Sequence, residues 1–126
     1  LNNVKICDLN NALNNADYLI VTCALNKHTH HLVNKENILK TKKGVIIINV
    51  ARGSIINEND VVELLENNFI NSVGFDVFEK EPLNKNSKLR NFKQNFYGSH
   101  NGSNTLEGVI KTSERATKFL YEFLTN

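Results

Sequence analysis

Residues 46–54 have the sequence Ile46-Ile47-Ile48-Asn49-Val50-Ala51-Arg52-Gly53-Ser54, an apolar run that passes directly into a turn carrying one arginine. Residues 45–48 are four β-branched side chains without polar alternation, a pattern typical of a parallel strand that is covered on both faces. Gly53 and Ser54 then end the strand. The stretch therefore predicts a central strand with Arg52 at its carboxyl end, where open α/β sheets bind their ligands.

A single arginine at a strand end has two interpretations. Its planar guanidinium can bind a carboxylate or carbonyl group through two parallel hydrogen bonds. It can equally form a structural salt bridge. Arg52 alone leaves both interpretations open, so the choice depends on the rest of the chain.

The composition limits the kind of protein. A chain of 126 residues with 40% apolar and 22% charged residues suits a single globular domain. The net charge of +2 is small, and no cluster of basic residues alternates with aromatics, so nucleic-acid binding is not predicted. The longest apolar run is too short for a membrane span, and the sequence has no recognisable signal peptide. A cytoplasmic location is therefore expected.

The cysteines and histidines are the candidate metal ligands of the sequence. Cys7 and Cys23 lie in apolar, strand-like segments, and we expect buried thiols in a reducing compartment rather than a disulfide. His28, His30 and His31 lie close together in a polar loop. No carboxylate or cysteine accompanies them locally, so no metal site is predicted.

Predicted strands alternate with predicted helices along the whole chain. The strands are predicted at 4–7, 18–23, 45–48, 72–77 and 92–97. The helices are predicted to begin after Asp8, Asn34, Asn57 and Asn104 and to end near Asn15, Gly44, Asn67 and Leu124. This alternation predicts an α/β fold with a doubly wound parallel sheet.

Four polar side chains follow the ends of three predicted strands. Arg52 follows one strand, Asp76 and Glu81 follow the next, and His100 follows the last. Because the carboxyl ends of parallel strands share one edge of the sheet, these groups are expected to converge on one crevice. A guanidinium, two carboxylates and an imidazole in one crevice indicate a functional site.

Four segments carry a resemblance to a known family. They are Ala24-Leu25-Asn26-Lys27-His28-Thr29, Val50-Ala51-Arg52-Gly53, Gly74-Phe75-Asp76-Val77-Phe78-Glu79-Lys80-Glu81-Pro82-Leu83 and Ser99-His100-Asn101-Gly102-Ser103. In order and spacing they resemble the motifs of the D-isomer-specific 2-hydroxyacid dehydrogenases, which include phosphoglycerate, glyoxylate/hydroxypyruvate and D-lactate dehydrogenases. The resemblance covers essentially the whole chain. It implies a Rossmann-like sheet and NAD as cofactor, with NADP not excluded.

The resemblance implies a role for each matched residue. His100 would be the acid/base that takes the hydroxyl proton of a D-2-hydroxy acid as hydride leaves for the nicotinamide, and Glu81 would hydrogen-bond its imidazole. Arg52 would bind the substrate carboxylate, and Glu79 is the competing carboxylate for the role of Glu81. The residues expected at the cofactor are Cys23, Ala24, Val50, Ala51, Arg52, Asp76, His100 and Gly102.

The sequence also departs from the family pattern. Ala24 and Ser99 stand where the family usually has proline, which should loosen both loops. No G-x-G-x-x-G turn is present, and no acidic residue follows a second strand to bind the ribose. The resemblance therefore implies that residues 1–126 are the C-terminal portion of an NAD-binding domain whose first strands and glycine-rich turn are absent.

Two structural consequences follow from that incomplete domain. Strand 4–7 would lose its neighbours, whereas the other four strands could still pair. The last helix, at about 104–125, would normally pack back toward a missing substrate domain, so its apolar stripe should be uncovered here.

The resulting hypothesis is a fragment of a dehydrogenase that acts on a small 2-hydroxy or 2-oxo acid, is inactive alone and forms a homodimer when complete. One alternative is a non-enzymatic relative that senses dinucleotides or binds a partner, although the presence of Arg52, Glu81 and His100 together argues against it. Another is one half of a split dehydrogenase. Neither the particular acid nor the choice between NAD and NADP follows from the sequence.

Overall fold

The computed structural model of the chain describes residues 4–125. In that range the strands form one parallel sheet in the order β1-β2-β3-β4, with β1 at Tyr18–Val21, β2 at Val45–Asn49, β3 at Ile70–Phe75 and β4 at Phe96–Tyr97. The α-helices are α1 at Leu9–Asn14, α2 at Lys35–Ile38, α3 at Glu58–Glu66 and α4 at Leu106–Thr125. Short 3-10 turns lie at Gly53–Ile55 and Lys88–Asn91. The predicted α/β class with a parallel sheet is confirmed.

One face of the sheet forms the hydrophobic core. Val45 and Ile47 of β2 are completely buried, as is Ile38 of α2 and Val61 of α3. Ile47 lies between Leu19 of β1 and Val73 of β3, so the central strand is paired on both sides. The β-branched side chains fit this pleated, covered surface.

The opposite face of the sheet is open among the described residues. Tyr18 and Ile20 of β1 are 63% and 58% exposed, and Phe96 of β4 is 75% exposed. Ile46 and Ile48 of the central strand are only partly buried. The prediction that this strand is covered on both faces is therefore wrong for residues 4–125. The side chains of β2 that face the core are buried, whereas those that face the other way are not packed against another layer.

Residues 4–7 do not form the predicted strand. A strand requires a neighbour to satisfy its backbone donors and acceptors, and none is present for this segment in the described chain. Cys7 and Cys23 are both exposed free thiols, which corrects the prediction that they are buried. As expected, the other four predicted strands pair with one another in one sheet.

Local capping signals set the starts of three helices. Asp8, Asn34 and Asn57 each accept a hydrogen bond from the backbone N–H three residues later, which confirms the predicted starts of α1, α2 and α3. Thr105 replaces the predicted Asn104 as the cap of α4, since its hydroxyl accepts the Gly108 N–H at 3.0 Å.

Several predicted ends needed correction. α2 ends at Ile38 rather than near Gly44, and the buried Thr41 hydroxyl donates to the Ile38 carbonyl at 2.7 Å just beyond that end. The strand predicted at 72–77 is shifted to Ile70–Phe75, and the last strand is limited to Phe96–Tyr97.

Helix α4 has no buried residue, in agreement with the expected uncovered stripe. Among residues 4–125, no helix combines the length and the apolar character that crossing a membrane requires.

Candidate active site

The polar residues singled out in the sequence lie at the carboxyl ends of neighbouring strands. Arg52 follows β2, Asp76 directly follows β3, and His100 follows β4. These three strands are adjacent in the sheet, so their ends lie side by side along one edge. The Asp76 N–H donates to the Asn49 carbonyl at 3.0 Å, which continues the pairing between β2 and β3 up to the site.

The turn that presents Arg52 is shaped by Asn49, a residue that the sequence interpretation missed. The Asn49 side chain is buried, donates to the Arg52 carbonyl at 3.0 Å and accepts the Ala51 N–H at 3.0 Å. The Asn49 amide therefore stabilises the turn through hydrogen bonds to its backbone at Ala51 and Arg52, as asparagine side chains commonly do in turns. The signal was a lone amide between four apolar strand residues and the arginine. The Arg52 side chain donates through Nη1 to the Ala51 carbonyl at 2.6 Å.

Gly53 brings the Arg52 turn into contact with the loop that follows β3. A Cβ atom at Gly53 would lie 1.9 Å from the carbonyl carbon and oxygen of Phe78 and 2.4 Å from the Glu79 nitrogen. Only glycine allows such close approach of two backbones. The Arg52 turn and the loop that carries Glu81 are therefore packed directly against each other.

Glu81 and His100 form a hydrogen-bonded pair. The distance from His100 Nδ1 to Glu81 Oε2 is 2.8 Å, and the Phe78 N–H donates to the other carboxylate oxygen at 3.0 Å. The hydrogen bond from the imidazole, followed by the one from the Phe78 amide, holds the pKa of the Glu81 carboxyl below its ordinary value. The charges of His100 and Arg52 act in the same direction, and partial burial opposes them.

Asp76 fixes the backbone of His100. The His100 N–H donates to Asp76 Oδ1 at 3.0 Å, while His100 adopts the left-handed conformation with φ of 55°. A Cβ atom at Gly98 would lie 2.1 Å from the same carboxylate oxygen, so a larger residue there would have to displace the Asp76 carboxylate. The other oxygen, Oδ2, lies 4.0 Å from where a Cβ atom at Gly102 would be. The Asp76 carboxylate therefore fixes the backbone of His100 through a direct hydrogen bond.

The predicted cofactor residues are distributed over two cavities. Five of them, with Thr22 and Leu25, line an open cleft of about 630 Å³ at the ends of β1 and β2; they are Cys23, Ala24, Val50, Ala51 and Arg52. Asp76 and His100 line a second cavity of about 290 Å³ together with Glu81 and Arg90. Gly102 lines neither cavity and is placed only by its proximity to Asp76.

The three loop histidines do not gather into a ligand set. Within residues 4–125 there is no group of three His, Cys, Asp or Glu side chains that could hold a metal ion. His30 and His31 stack with ring centroids 4.0 Å apart, and His31 Nε2 lies 3.4 Å from Glu79 Oε1.

Comparison with known proteins places the chain in a family. Residues 1–102 match the model of the D-isomer specific 2-hydroxyacid dehydrogenase, NAD binding domain. The fold and the match together define a Rossmann-like dinucleotide-binding domain. The chain belongs to the D-isomer specific 2-hydroxyacid dehydrogenase family.

Two curated relatives have the same name. Glyoxylate/hydroxypyruvate reductase B of Cronobacter sakazakii is 39% identical over 83% of this chain and 32% of its own length. The corresponding protein of Serratia proteamaculans is 36% identical over 98% of this chain and 38% of its own length. The chain thus spans about a third of the length of the curated relatives it matches.

Solved structures show the same fold. A glyoxylate reductase from Paecilomyes thermophila superposes with a TM-score of 0.80 at 33% identity, over 85% of this chain and 32% of that chain. A D-isomer specific 2-hydroxyacid dehydrogenase from Xanthobacter autotrophicus Py2, in complex with NADPH and MES, has a TM-score of 0.71 at 30% identity, over 73% of this chain and 38% of that chain.

The residues present suit one end of a dinucleotide better than the other. The cleft at the ends of β1 and β2 is lined by the small side chains of Ala24 and Ala51 and by the Arg52 guanidinium. This lining suits a flat nicotinamide ring next to a polar substrate. The sequence contains no glycine-rich turn for the pyrophosphate. The described site therefore fits the nicotinamide end of NAD or NADP.

Proposed function

We propose that this chain supplies the acid/base pair and the substrate-binding arginine of an NAD- or NADP-dependent oxidoreductase that interconverts a D-2-hydroxy acid and its 2-oxo acid. The observation that carries the proposal is the 2.8 Å contact between His100 and Glu81 at the sheet edge that also bears Arg52. The names of the relatives suggest glyoxylate and hydroxypyruvate as the first substrates to test.

His100 acts through its outer nitrogen. A carboxylate only accepts hydrogen bonds, so the contact with Glu81 requires a proton on Nδ1 of His100. Nε2 is then the atom that takes the substrate hydroxyl proton during oxidation and returns a proton to the 2-oxo oxygen during reduction. Glu81 stabilises the imidazolium that forms when Nε2 is protonated.

Arg52 binds the substrate. Nη1 of Arg52 donates a hydrogen bond to the Ala51 carbonyl, which orients the guanidinium. The other N–H groups of the guanidinium would bind the substrate carboxylate. A bound NAD or NADP would supply the hydride acceptor for oxidation at C2 of the hydroxy acid, and the hydride donor for the reverse reaction. Cys23, Ala24, Val50 and Ala51 would hold its nicotinamide end, with Asp76 and Gly102 at the neighbouring strand ends.

The chain works as part of a larger assembly in this proposal. The open sheet face at Tyr18 and Ile20 supports it, and so does α4, which has no buried residue. The chain also spans only about a third of the relatives' length. Residues 1–126 would be the C-terminal portion of the cofactor-binding domain, with α4 packing toward a substrate domain. The further strands come from the same polypeptide or from a separately encoded half.

The complete protein is proposed to be a cytoplasmic homodimer. The two free, exposed thiols at Cys7 and Cys23 suit a reducing compartment.

The test uses a restored enzyme, in which residues 1–126 replace the matching part of the Serratia proteamaculans reductase. We expect oxidation of NADH or NADPH with glyoxylate or hydroxypyruvate, and none by residues 1–126 alone. His100→Ala should lower kcat by about 10²- to 10⁴-fold, whereas the surface variant Glu36→Gln should not. Unchanged turnover in His100→Ala would assign the acid/base elsewhere. A folded restored enzyme that binds the cofactor without turnover would favour the non-enzymatic relative.

A further inference from the structure

Two reciprocal hydrogen bonds tie the loop that carries Glu81 to the start of α3. The Glu58 N–H donates to Glu79 Oε1 at 2.8 Å, and the Glu79 N–H donates to Glu58 Oε1 at 2.7 Å. Each side chain therefore holds the backbone of the other across 21 residues of sequence. We call Glu58 and Glu79 the glutamate clamp.

The clamp acts on the backbone that holds Glu81. Gly53 packs against the carbonyl of Phe78 and the nitrogen of Glu79, and the Phe78 N–H donates to Glu81 Oε1 at 3.0 Å. The peptide between Phe78 and Glu79 is thus fixed by the Arg52 turn, by the clamp and by Glu81 itself. A shift of this peptide would move the Glu81 carboxylate relative to both His100 and Arg52.

The clamp brings two carboxylates close together, and their negative charges repel each other. Burial chiefly raises the pKa of Glu58; the charge of Glu79 adds to that rise, and the hydrogen bond from the Glu79 amide opposes it. His31 Nε2, 3.4 Å from Glu79 Oε1, compensates only when it is protonated. Glutamine could make the same two hydrogen bonds without bringing two carboxylates together. The two backbone hydrogen bonds form in spite of this repulsion.

We propose that Glu79 and Glu58 are positioning residues for the reaction, because their reciprocal hydrogen bonds set the place of Glu81 between His100 and Arg52. The assignment rests on the proposed function, in which Glu81 and His100 form the acid/base pair. Neither clamp residue touches the substrate. Both act through the backbone of Phe78 and Glu79.

The first experiment measures the Glu81 carboxyl by ¹³C NMR titration in the restored enzyme. We compare Glu79→Ala and Glu58→Ala, which each remove one hydrogen bond, with Glu79→Gln and Glu58→Gln, which keep an acceptor oxygen. Glu63→Ala is the matched control, since Glu63 lies on the same helix and pairs with Lys35 instead. The alanine variants should raise the pKa of Glu81 toward that of an ordinary glutamate.

The sign of that shift separates positioning from charge. Removing the Glu79 charge alone would lower the pKa of Glu81, because a nearby negative charge disfavours a second one. A rise in the alanine variants together with no rise in the glutamine and Glu63 variants is the expected result. A fall or no change in folded Glu79→Ala overturns the proposal, and so does an equal rise in Glu79→Gln. Unfolding of both alanine variants with folded glutamine variants would make the clamp a stability element and also overturn it.

The second experiment measures kinetics in the restored enzyme. Glu79→Ala should lower kcat by about tenfold to a hundredfold with little change in the KM for the oxo acid, because the acid/base pair is displaced while Arg52 remains. Glu79→Gln should retain most of the activity. A restored enzyme that is inactive before any substitution rejects the proposed function, whereas an active enzyme with an unmoved Glu81 titration rejects the clamp alone.

Discussion

Glu81 is the residue whose ionisation should be most visible. The hydrogen bond from His100 is the largest cause of its lowered pKa, so His100→Ala should raise that pKa toward the ordinary value of 4.5. Since the folded value lies below the unfolded one, the bond contributes its full stability above pH 4.5 and loses it as the pH falls through the folded value. Urea unfolding of the wild type and Glu81→Gln across this range should show a stability difference that shrinks on acidification. A difference that grows on acidification would contradict the pairing.

Arg52 supports a second prediction for a single side chain. Arg52→Lys should raise the KM for the oxo acid and lower kcat in the restored enzyme, because a lysine cannot form two parallel hydrogen bonds with a carboxylate. Steady-state kinetics with glyoxylate measures both values. Arg115→Lys, an exposed arginine above the Phe119 ring in α4, is the matched control. An unchanged KM in Arg52→Lys would remove Arg52 from substrate binding.

Among the elements, the contact between the Arg52 turn and the Glu81 loop depends on one glycine. Gly53→Ala would place a Cβ atom 1.9 Å from the Phe78 carbonyl, so the two backbones must separate. We expect a loss of about 1–3 kcal/mol or more in the free energy of unfolding, and a lower kcat in the restored enzyme. Gly74→Ala is the control, since its Cβ would meet only an Ile48 side-chain carbon at 3.7 Å. Equal effects of the two substitutions on both measurements would refute this role for Gly53.

The elements also separate what the sequence could predict from what it could not. Caps at Asp8, Asn34 and Asn57 were predictable because each acts over three residues. Residues 4–7 were not, because an apolar segment becomes a strand only when a partner strand is present. The dependence on a partner also explains β2. Its apolar pattern suits a strand with a packed layer on each face of the sheet, but the described chain supplies such a layer on one face only.

The candidate site shows a similar division. Arg52, Asp76 and His100 could be assigned to one sheet edge because strand order in a parallel sheet aligns its carboxyl ends. Asn49, Gly53 and the glutamate clamp could not. Their roles depend on how two loops approach each other, and backbone contacts such as Gly53 against Phe78 leave no periodic pattern in the sequence.

For the whole molecule, the main feature is apolar surface that residues 4–125 leave uncovered. Helix α4 exposes an apolar stripe over its whole length, including Leu106, Val109, Ile110, Leu120 and Phe123. The second face of the sheet adds Tyr18, Ile20 and Phe96. Large exposed apolar patches are uncommon on monomeric proteins and mark places where another surface packs.

Residues 1–126 alone should therefore bind a hydrophobic dye such as ANS and self-associate with increasing concentration, because both surfaces are accessible to water. Dye fluorescence and sedimentation velocity measure the two effects. Leu120→Ser with Phe123→Ser should reduce both, since these side chains are exposed on α4 and no core contact is lost. Lys111→Ser, a polar residue of the same helix, should reduce neither. The restored enzyme should bind much less dye per chain, because under the proposed function the added polypeptide would cover both surfaces. A monomeric chain with a sharply cooperative thermal transition and no dye binding would mean that these apolar surfaces are closed in solution, and the arrangement of α4 would then need revision.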